Sequence, residues 1–185
     1  MDNILKGYFN KELSYIKNSE ILIMTEKAIN HLHEYFFSVA SSSSGKYHPS
    51  FSLGEGGLYR HTKFAVEIAV NLFNIMEFTQ DEKDCIVSSL ILHDGFKQGR
   101  ISKGHTDKLH PIICGNELDK LWKNYNNLYK DIIINAIASH MGKFNEKGKL
   151  PTPITKIEKF VHTCDYLASR KNLWENKNDF DKEEK

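Results

Sequence analysis

An excess of charge of either sign is missing from this chain. Its 185 residues carry 25 Lys and Arg against 24 Asp and Glu, a formal net charge of +1, which gives no bulk electrostatic case for binding nucleic acid or a membrane surface. Long apolar runs are missing as well; none approaches the roughly 20 residues that span a bilayer. Cysteine is scarce. Cys85, Cys114 and Cys164 are odd in number, far apart and without a CxxC pair, so no disulfide framework is expected and each reads as a small core residue in a reducing compartment. The N-terminus, Met1-Asp2-Asn3-Ile4-Leu5-Lys6, lacks the basic-then-apolar order of a secretory signal, and a cytoplasmic location is the expectation. No repeat is present, and Ser41 to Ser44 is the only low-complexity tract. The length fits one domain with short extensions.

What the chain does have is helical period. Ile21, Ala28, Ile29, Leu32, Phe36 and Val39 share a face over about 20–40. A shorter helix is expected around 4–16. Turn-type residues break the pattern from Ser41 to Gly57. Further helices are predicted over about 58–76, from a capping box at Thr79-Gln80-Asp81-Glu82 to near His93, over 110–125, over 128–141, and from Thr152-Pro153 to about Leu173. A turn is expected over 145–151. No strand is expected, so the fold class is all-α. The expected organisation is an N-terminal helical extension over 1–45, a main domain over 46–174 and a charged tail over 175–185.

Six polar residues interrupt those apolar stripes. His61, His93, His140 and Asp165 each lie three, four or seven residues from apolar partners on the same helical face. Asp94 follows His93 at the end of the apolar run Leu90-Ile91-Leu92, and His110 opens a helix whose core side holds Ile113, Cys114 and Leu121. A single histidine on such a face is usually a satisfied core residue. A buried carboxylate is different, because it costs several kcal/mol unless paired or metal-bound. No Lys or Arg shares the stripes of Asp94 or Asp165, so one divalent cation with imidazole ligands would resolve His61, His93, Asp94 and Asp165 together. Manganese, iron, nickel, cobalt, zinc or magnesium all remain open as the ion.

The residues around these positions carry a family resemblance. Gly56-Gly57-Leu58-Tyr59-Arg60-His61-Thr62, Leu92-His93-Asp94-Gly95-Phe96-Lys97, His110-Pro111-Ile112-Ile113-Cys114-Gly115, Ile137-Ala138-Ser139-His140 and Val161-His162-Thr163-Cys164-Asp165-Tyr166-Leu167-Ala168 follow one another as the motifs of HD-domain phosphohydrolases do. The ordered set covers about 47–171 and resembles that superfamily. Gly95-Phe96 stands where Ile-Gly is common in it.

The resemblance implies an HD-domain helical bundle and a metal-dependent phosphohydrolase that cleaves a phosphate ester or anhydride of a (deoxy)nucleotide with metal-activated water. It implies Asp94 as the central catalytic and ligating residue, and His110 and His140 as ligands of a second ion in members that hold two. Lys97, three residues after Asp94, corresponds to a lysine that steadies phosphate. Arg60 and His48 are weaker candidates for substrate binding. A phosphodiesterase acting on cyclic or short oligonucleotides is the alternative enzyme, and a non-catalytic nucleotide-binding sensor the alternative class. The expected partner is a small phosphorylated molecule, a nucleotide by resemblance, with no membrane and no long nucleic acid; a homo-oligomer stays open. His31 and His33 lie two apart and cannot clamp one ion. His105 competes with His110, whose following Pro111 and Gly115 fit better, and His162 lies off the Asp165 stripe.

Overall fold

Apolar residues at helical spacing gather here around one central helix. The structure, a computed structural model, describes residues 7–42, 44–125, 127–142 and 148–174. Among these residues it is all-helical, with no strand. The elements are α1 (Asn10–Leu13), α2 (Ser19–Ile29), α3 (Gly57–Leu72), α4 (Gln80–Leu92), α5 (His110–Leu121), α6 (Asn127–Ser139), α7 (Lys156–Ala168) and α8 (Lys171–Trp174). Two short 3-10 turns, Glu34–Phe37 and Ser50–Ser52, lie between α2 and α3.

Helix α4 is the hub. Every residue from Asp84 to Leu92 is buried, as expected of a helix with neighbours on all sides; α1, α2, α3, α6 and α7 all pack on it. Burial of Ile86, Leu90, Ile91 and Leu92 stabilises the fold by roughly 2 kcal/mol each. Its polar residues are matched: Thr25 donates to Ser88 Oγ at 2.7 Å, and Ser89 donates to the Cys85 carbonyl at 2.7 Å. A capping box at Thr79 and Glu82 starts α4 as predicted. One apolar cluster runs from Phe9 to Ala168, so the N-terminal segment shares its core with the rest. The three cysteines are free and buried. No helix among the described residues is long and apolar enough to cross a membrane.

Several boundaries differ from those read in the sequence. The helix expected over 20–40 ends at Ile29. Past it, His33 Nδ1 accepts from the Tyr35 amide and sets up the 3-10 turn, local bonding that competes with helix. Leu32 and Phe36 are nonetheless buried, and the Tyr35 hydroxyl donates to the Gly99 carbonyl at 2.8 Å, fastening the loop that follows Asp94. The last long helix starts from Thr155, not Thr152: Thr155 and Glu158 form a reciprocal capping box, whereas Thr152 has no acid three residues on. That helix stops at Ala168 because the Lys171 amide donates to the Tyr47 carbonyl at 2.7 Å and Ser169 Oγ donates back to the Tyr166 carbonyl at 2.8 Å. Helices α3, α5 and α6 end a turn or so before their expected limits. Positions 4–6 of the first expected helix, 145–147 of the expected turn and the charged tail over 175–185 lie outside the described residues.

The Gly-Gly-Leu segment has a steric reason. A Cβ on Gly57 would sit 2.2 Å from the Ser52 carbonyl oxygen, and Gly56 has φ +68°. Only glycine lets the loop before α3 press this closely on the helix start.

Candidate metal centre

Five helices deliver six side chains to one point. Helix α3 carries His61, the end of α4 gives His93 and Asp94, α5 opens on His110, α6 is followed by His140, and α7 carries Asp165. His61, His93, Asp94, His110 and His140 are each at most 1% exposed. His61 Nε2 lies 2.9 Å from Asp165 Oδ1, and His93 Nε2 lies 3.4 Å from the same oxygen. Asp94 turns its two oxygens to different neighbours. Oδ2 faces His93 Nε2 at 3.5 Å, while Oδ1 faces His110 Nε2 at 2.9 Å and His140 Nε2 at 3.7 Å. His110 Nε2 and His140 Nε2 are 3.3 Å apart.

Three of the imidazoles are oriented by the backbone turn that precedes them. The Nδ1–H of His93 donates to the Leu90 carbonyl, that of His110 to the Asp107 carbonyl and that of His140 to the Ile137 carbonyl, each at 2.7 Å. A carbonyl only accepts, so Nδ1 carries a proton in each ring and the Nε2 atom is the one aimed inward. This is the outer arrangement that fixes ligating histidines. His61 differs, because its buried Nδ1 has no partner.

With its imidazoles deprotonated at Nε2, the centre gathers more lone pairs than it has protons to join them. Asp94 Oδ1 and His93 Nε2 are buried and make no hydrogen bond; His110 approaches Oδ1 closely but is out of line for one. Acceptors facing acceptors in a buried site call for a cation. The donor set fits one: His61, His93 and Asp165 offer ligand atoms within 4.8 Å of each other, and so do His93, Asp94 and His140. His93 belongs to both groups but has one lone pair at Nε2, so it serves one ion. Asp94 has two oxygens and can serve two.

Electrostatics here are coupled. Burial pulls the His93 imidazole down, but Asp94 and Asp165 outweigh it and raise its pKa to about 10. Burial pushes Asp94 up, yet Lys97 and His93 hold its carboxyl well below the usual range. Asp165 is likewise pushed up by burial and held well below its usual value by His61 and His93. Burial, then His93, lowers His140 to about 3, which keeps it neutral and able to ligate a cation. One premise of the sequence reading is corrected: Asp94 does have a lysine partner, Lys97 Nζ at 2.5 Å from Oδ2. The stripe rule misses Lys97 because it lies beyond the helix, where the turn closed by its amide on the Asp94 carbonyl folds it back. Lys97 neutralises Oδ2 only; Oδ1 keeps its deficit.

The cluster opens into a cavity of about 550 Å³. Asp94, Lys97, His110, His140 and Asp165 line one side, and Tyr47, His48, His162, Tyr166 and Arg170 also line it. His48, a weaker candidate for substrate binding, is one of these lining residues, with its ring 5.5 Å from that of His61; burial, then His61 and Lys97, lowers its pKa to about 4. Arg60 is a correction. Its Nε donates to the Phe51 carbonyl at 2.5 Å and its Nη2 to the Leu53 carbonyl at 3.0 Å, away from the cavity, so it braces the loop before α3. His31 and His105 are exposed, and His33 caps its 3-10 turn.

Two groups of cavity residues escaped the sequence reading. His162 lies off the Asp165 stripe, and the sequence assigns it no part; its Nδ1–H donates to the His140 carbonyl at 2.6 Å. Its ring fills the space beside Gly142, where a Cβ would lie 2.4 Å from Cε1. Tyr47 and Arg170 carry no motif, and Tyr166 stands in the Asp165 segment without a role; proximity to His48 and Asp165 in the chain is the signal that points to all three. No family model, curated protein or solved structure matches this chain, so the reading of the centre stands on its residues and their geometry.

Proposed function

We propose that this chain is a metal-dependent phosphohydrolase of the HD-domain type, acting on a phosphate ester or anhydride of a nucleotide. The observation that carries the reading is Asp94 Oδ1, a buried carboxylate oxygen with no hydrogen bond, ringed by imidazole nitrogens whose protons are committed elsewhere. His61, His93, Asp165 and Asp94 would hold a first divalent ion; Asp94, His110 and His140 would hold a second. Mixed imidazole and carboxylate donors suit manganese, iron, cobalt, nickel or zinc, with magnesium the poorest match.

Such an ion supplies Lewis-acid charge to a phosphoryl group and makes water acidic enough to attack near neutral pH. The chain's own residues do the rest. Asp94 sets the position of both donor groups, because one carboxylate faces His93 on one oxygen and His110 with His140 on the other. Lys97 holds an ammonium beside Asp94 at the cavity wall, placed to balance phosphoryl charge. His48 stays neutral at pH 7, so it meets substrate through hydrogen bonding at its ring nitrogens, not through charge. The cavity volume falls in the range of small-molecule sites, which supports a mononucleotide-sized substrate over a long polymer.

A phosphodiesterase reading draws support from the His110–His140 pair on Asp94 Oδ1, which suits a second cation. One panel separates the readings. Phosphate or nucleoside release is measured from nucleoside mono-, di- and triphosphates, cyclic nucleotides and dinucleotides, with Mn²⁺, Co²⁺, Ni²⁺ or Mg²⁺. Turnover of one class that needs metal and disappears in Asp94→Ala is the expected result. Metal binding without turnover of any class would replace the enzyme with a sensor.

A further inference from the structure

We infer that Arg170 is a specificity-determining residue that binds a second anionic group of the substrate, separate from the phosphoryl group that reacts. This rests on the phosphohydrolase reading and narrows it to substrates with at least two phosphates, whether joined in a nucleoside di- or triphosphate or spaced along a short oligonucleotide.

Arg170 lines the same cavity as Asp94 and Lys97 but arrives from the break between α7 and α8. Its Cζ lies 4.3 Å from the centre of the Tyr166 ring and 5.2 Å from that of Tyr47. Stacking on two rings orients a guanidinium through the aromatic quadrupoles and limits its rotamers. The Lys171 amide bond to the Tyr47 carbonyl ties the two chain segments together beside it. A guanidinium stays charged at any working pH, and its planar fork matches phosphate oxygens.

Position gives it a role distinct from Lys97. Lys97 touches Asp94 and belongs to the reacting end. Arg170 sits against Tyr47, which is 52% exposed at the rim. Lys46 Nζ also stands 5.1 Å over the Tyr47 ring. Two cations over one rim aromatic favour an anion there over an uncharged base.

The test compares wild type, Arg170→Gln and Arg170→Lys for metal content, folding and steady-state kinetics. Substrates are a nucleoside mono-, di- and triphosphate and a 5′-phosphorylated dinucleotide; the last two distinguish a polyphosphate chain from a neighbouring nucleotide. In Arg170→Gln the ratio of kcat/KM for the two-phosphate substrates to that for the monophosphate falls about tenfold, as loss of a charged hydrogen bond implies. The change lies in KM, and Arg170→Lys restores part of it. Calorimetric titration of inorganic pyrophosphate and orthophosphate, at one fixed free Mn²⁺ concentration, provides a readout without turnover. Pyrophosphate affinity is expected to fall about tenfold more than orthophosphate affinity in Arg170→Gln. Equal losses for both probes, or none, overturn the assignment. If no phosphate compound is turned over, the phosphohydrolase reading fails, and the calorimetric arm still decides whether Arg170 binds a second phosphate.

Discussion

Helix α4 has a buried aspartate near each end, and the two are opposites. Asp84 is fully buried and fully satisfied: its Oδ2 accepts from the Lys17 and Asn18 amides at 2.8 and 2.6 Å, and its Oδ1 accepts from Gln80 Nε2 at 2.7 Å. It pins the chain just where Asn18 caps α2. Asp94 is equally buried, yet one oxygen has a lysine and the other has only imidazole acceptors. The first carboxylate is finished by the fold. The second keeps an oxygen that the fold leaves without a hydrogen bond. Burial of charge alone identifies neither role; what separates them is whether the donors around each oxygen balance its lone pairs.

Replacing each in turn should therefore break different properties. Asp94→Ala is expected to abolish metal-dependent turnover by roughly 10³-fold or more, beyond the loss of a single transition-state donor, with sub-stoichiometric metal by atomic emission. Its fold should survive, since the α4 core from Asp84 to Leu92 is untouched, with a modest loss of stability as Lys97 gives up its partner. Asp84→Ala should keep its metal but lose about 2 kcal/mol of stability in urea denaturation, because two part-buried amides lose their acceptor. A normal metal content in Asp94→Ala, or a depleted one in Asp84→Ala, would erase the distinction.

Chelation sharpens the contrast without mutation. An ion held at a hundred times its Kd stabilises the native state by about 2.7 kcal/mol, so stripping it should lower Tm by about 5–11 °C in a chain of this size. Scanning calorimetry should show no such drop for Asp94→Ala. In the metal-free protein, His93 is raised from 6.5 to about 10. A raised pKa contributes stability that is complete below 6.5 and disappears as pH climbs to about 10. Asp94 and Asp165 are depressed, so their share is present above the ordinary carboxylate pKa and lost as pH falls below it. Metal-free stability should decline between pH 6.5 and 10, while metal affinity rises over that window as His93 gives up its proton. Flat metal-free stability across that range would show that His93 is neutral without the ion.

The site was more legible in the sequence than the scaffold that frames it. Each candidate ligand stood out, because His61, His93, His140 and Asp165 are polar residues on apolar stripes, and a periodicity argument finds such exceptions directly. Lys97 came only from the motif around Asp94 and Arg170 not at all, since both leave a helix through a turn and point by tertiary geometry that spacing does not encode. Arg60 shows the converse: a basic residue beside a ligand whose guanidinium serves two loop carbonyls. The Thr155 cap was missed because Thr152-Pro153 offered a local helix start of its own, and the reciprocal Glu158 bond decided between them. The helix over 20–40 kept its buried positions after the backbone changed from α to 3-10, so burial was predicted better than geometry.

The smallest expected effect tests whether the two ends of α4 are independent. Thr79 caps the helix near Asp84, accepting from the Glu82 amide while Glu82 returns a bond to the Thr79 amide. Thr79→Ala should cost about 1 kcal/mol, a Tm change of roughly 2–4 °C. Thirteen residues of helix separate this cap from the ligands, about 20 Å at 1.5 Å per residue, and capping acts on the first turn. The ligand end is fixed separately: the His93 ring is tied to Leu90, and Lys97 to Asp94. Metal affinity and kcat should therefore stay at the wild-type value, measured beside Asp84→Ala, which loosens the same end more strongly. A tenfold drop in metal affinity for Thr79→Ala would mean that α4 transmits fraying along its whole length, and the scaffold end would then have to be counted as part of the site.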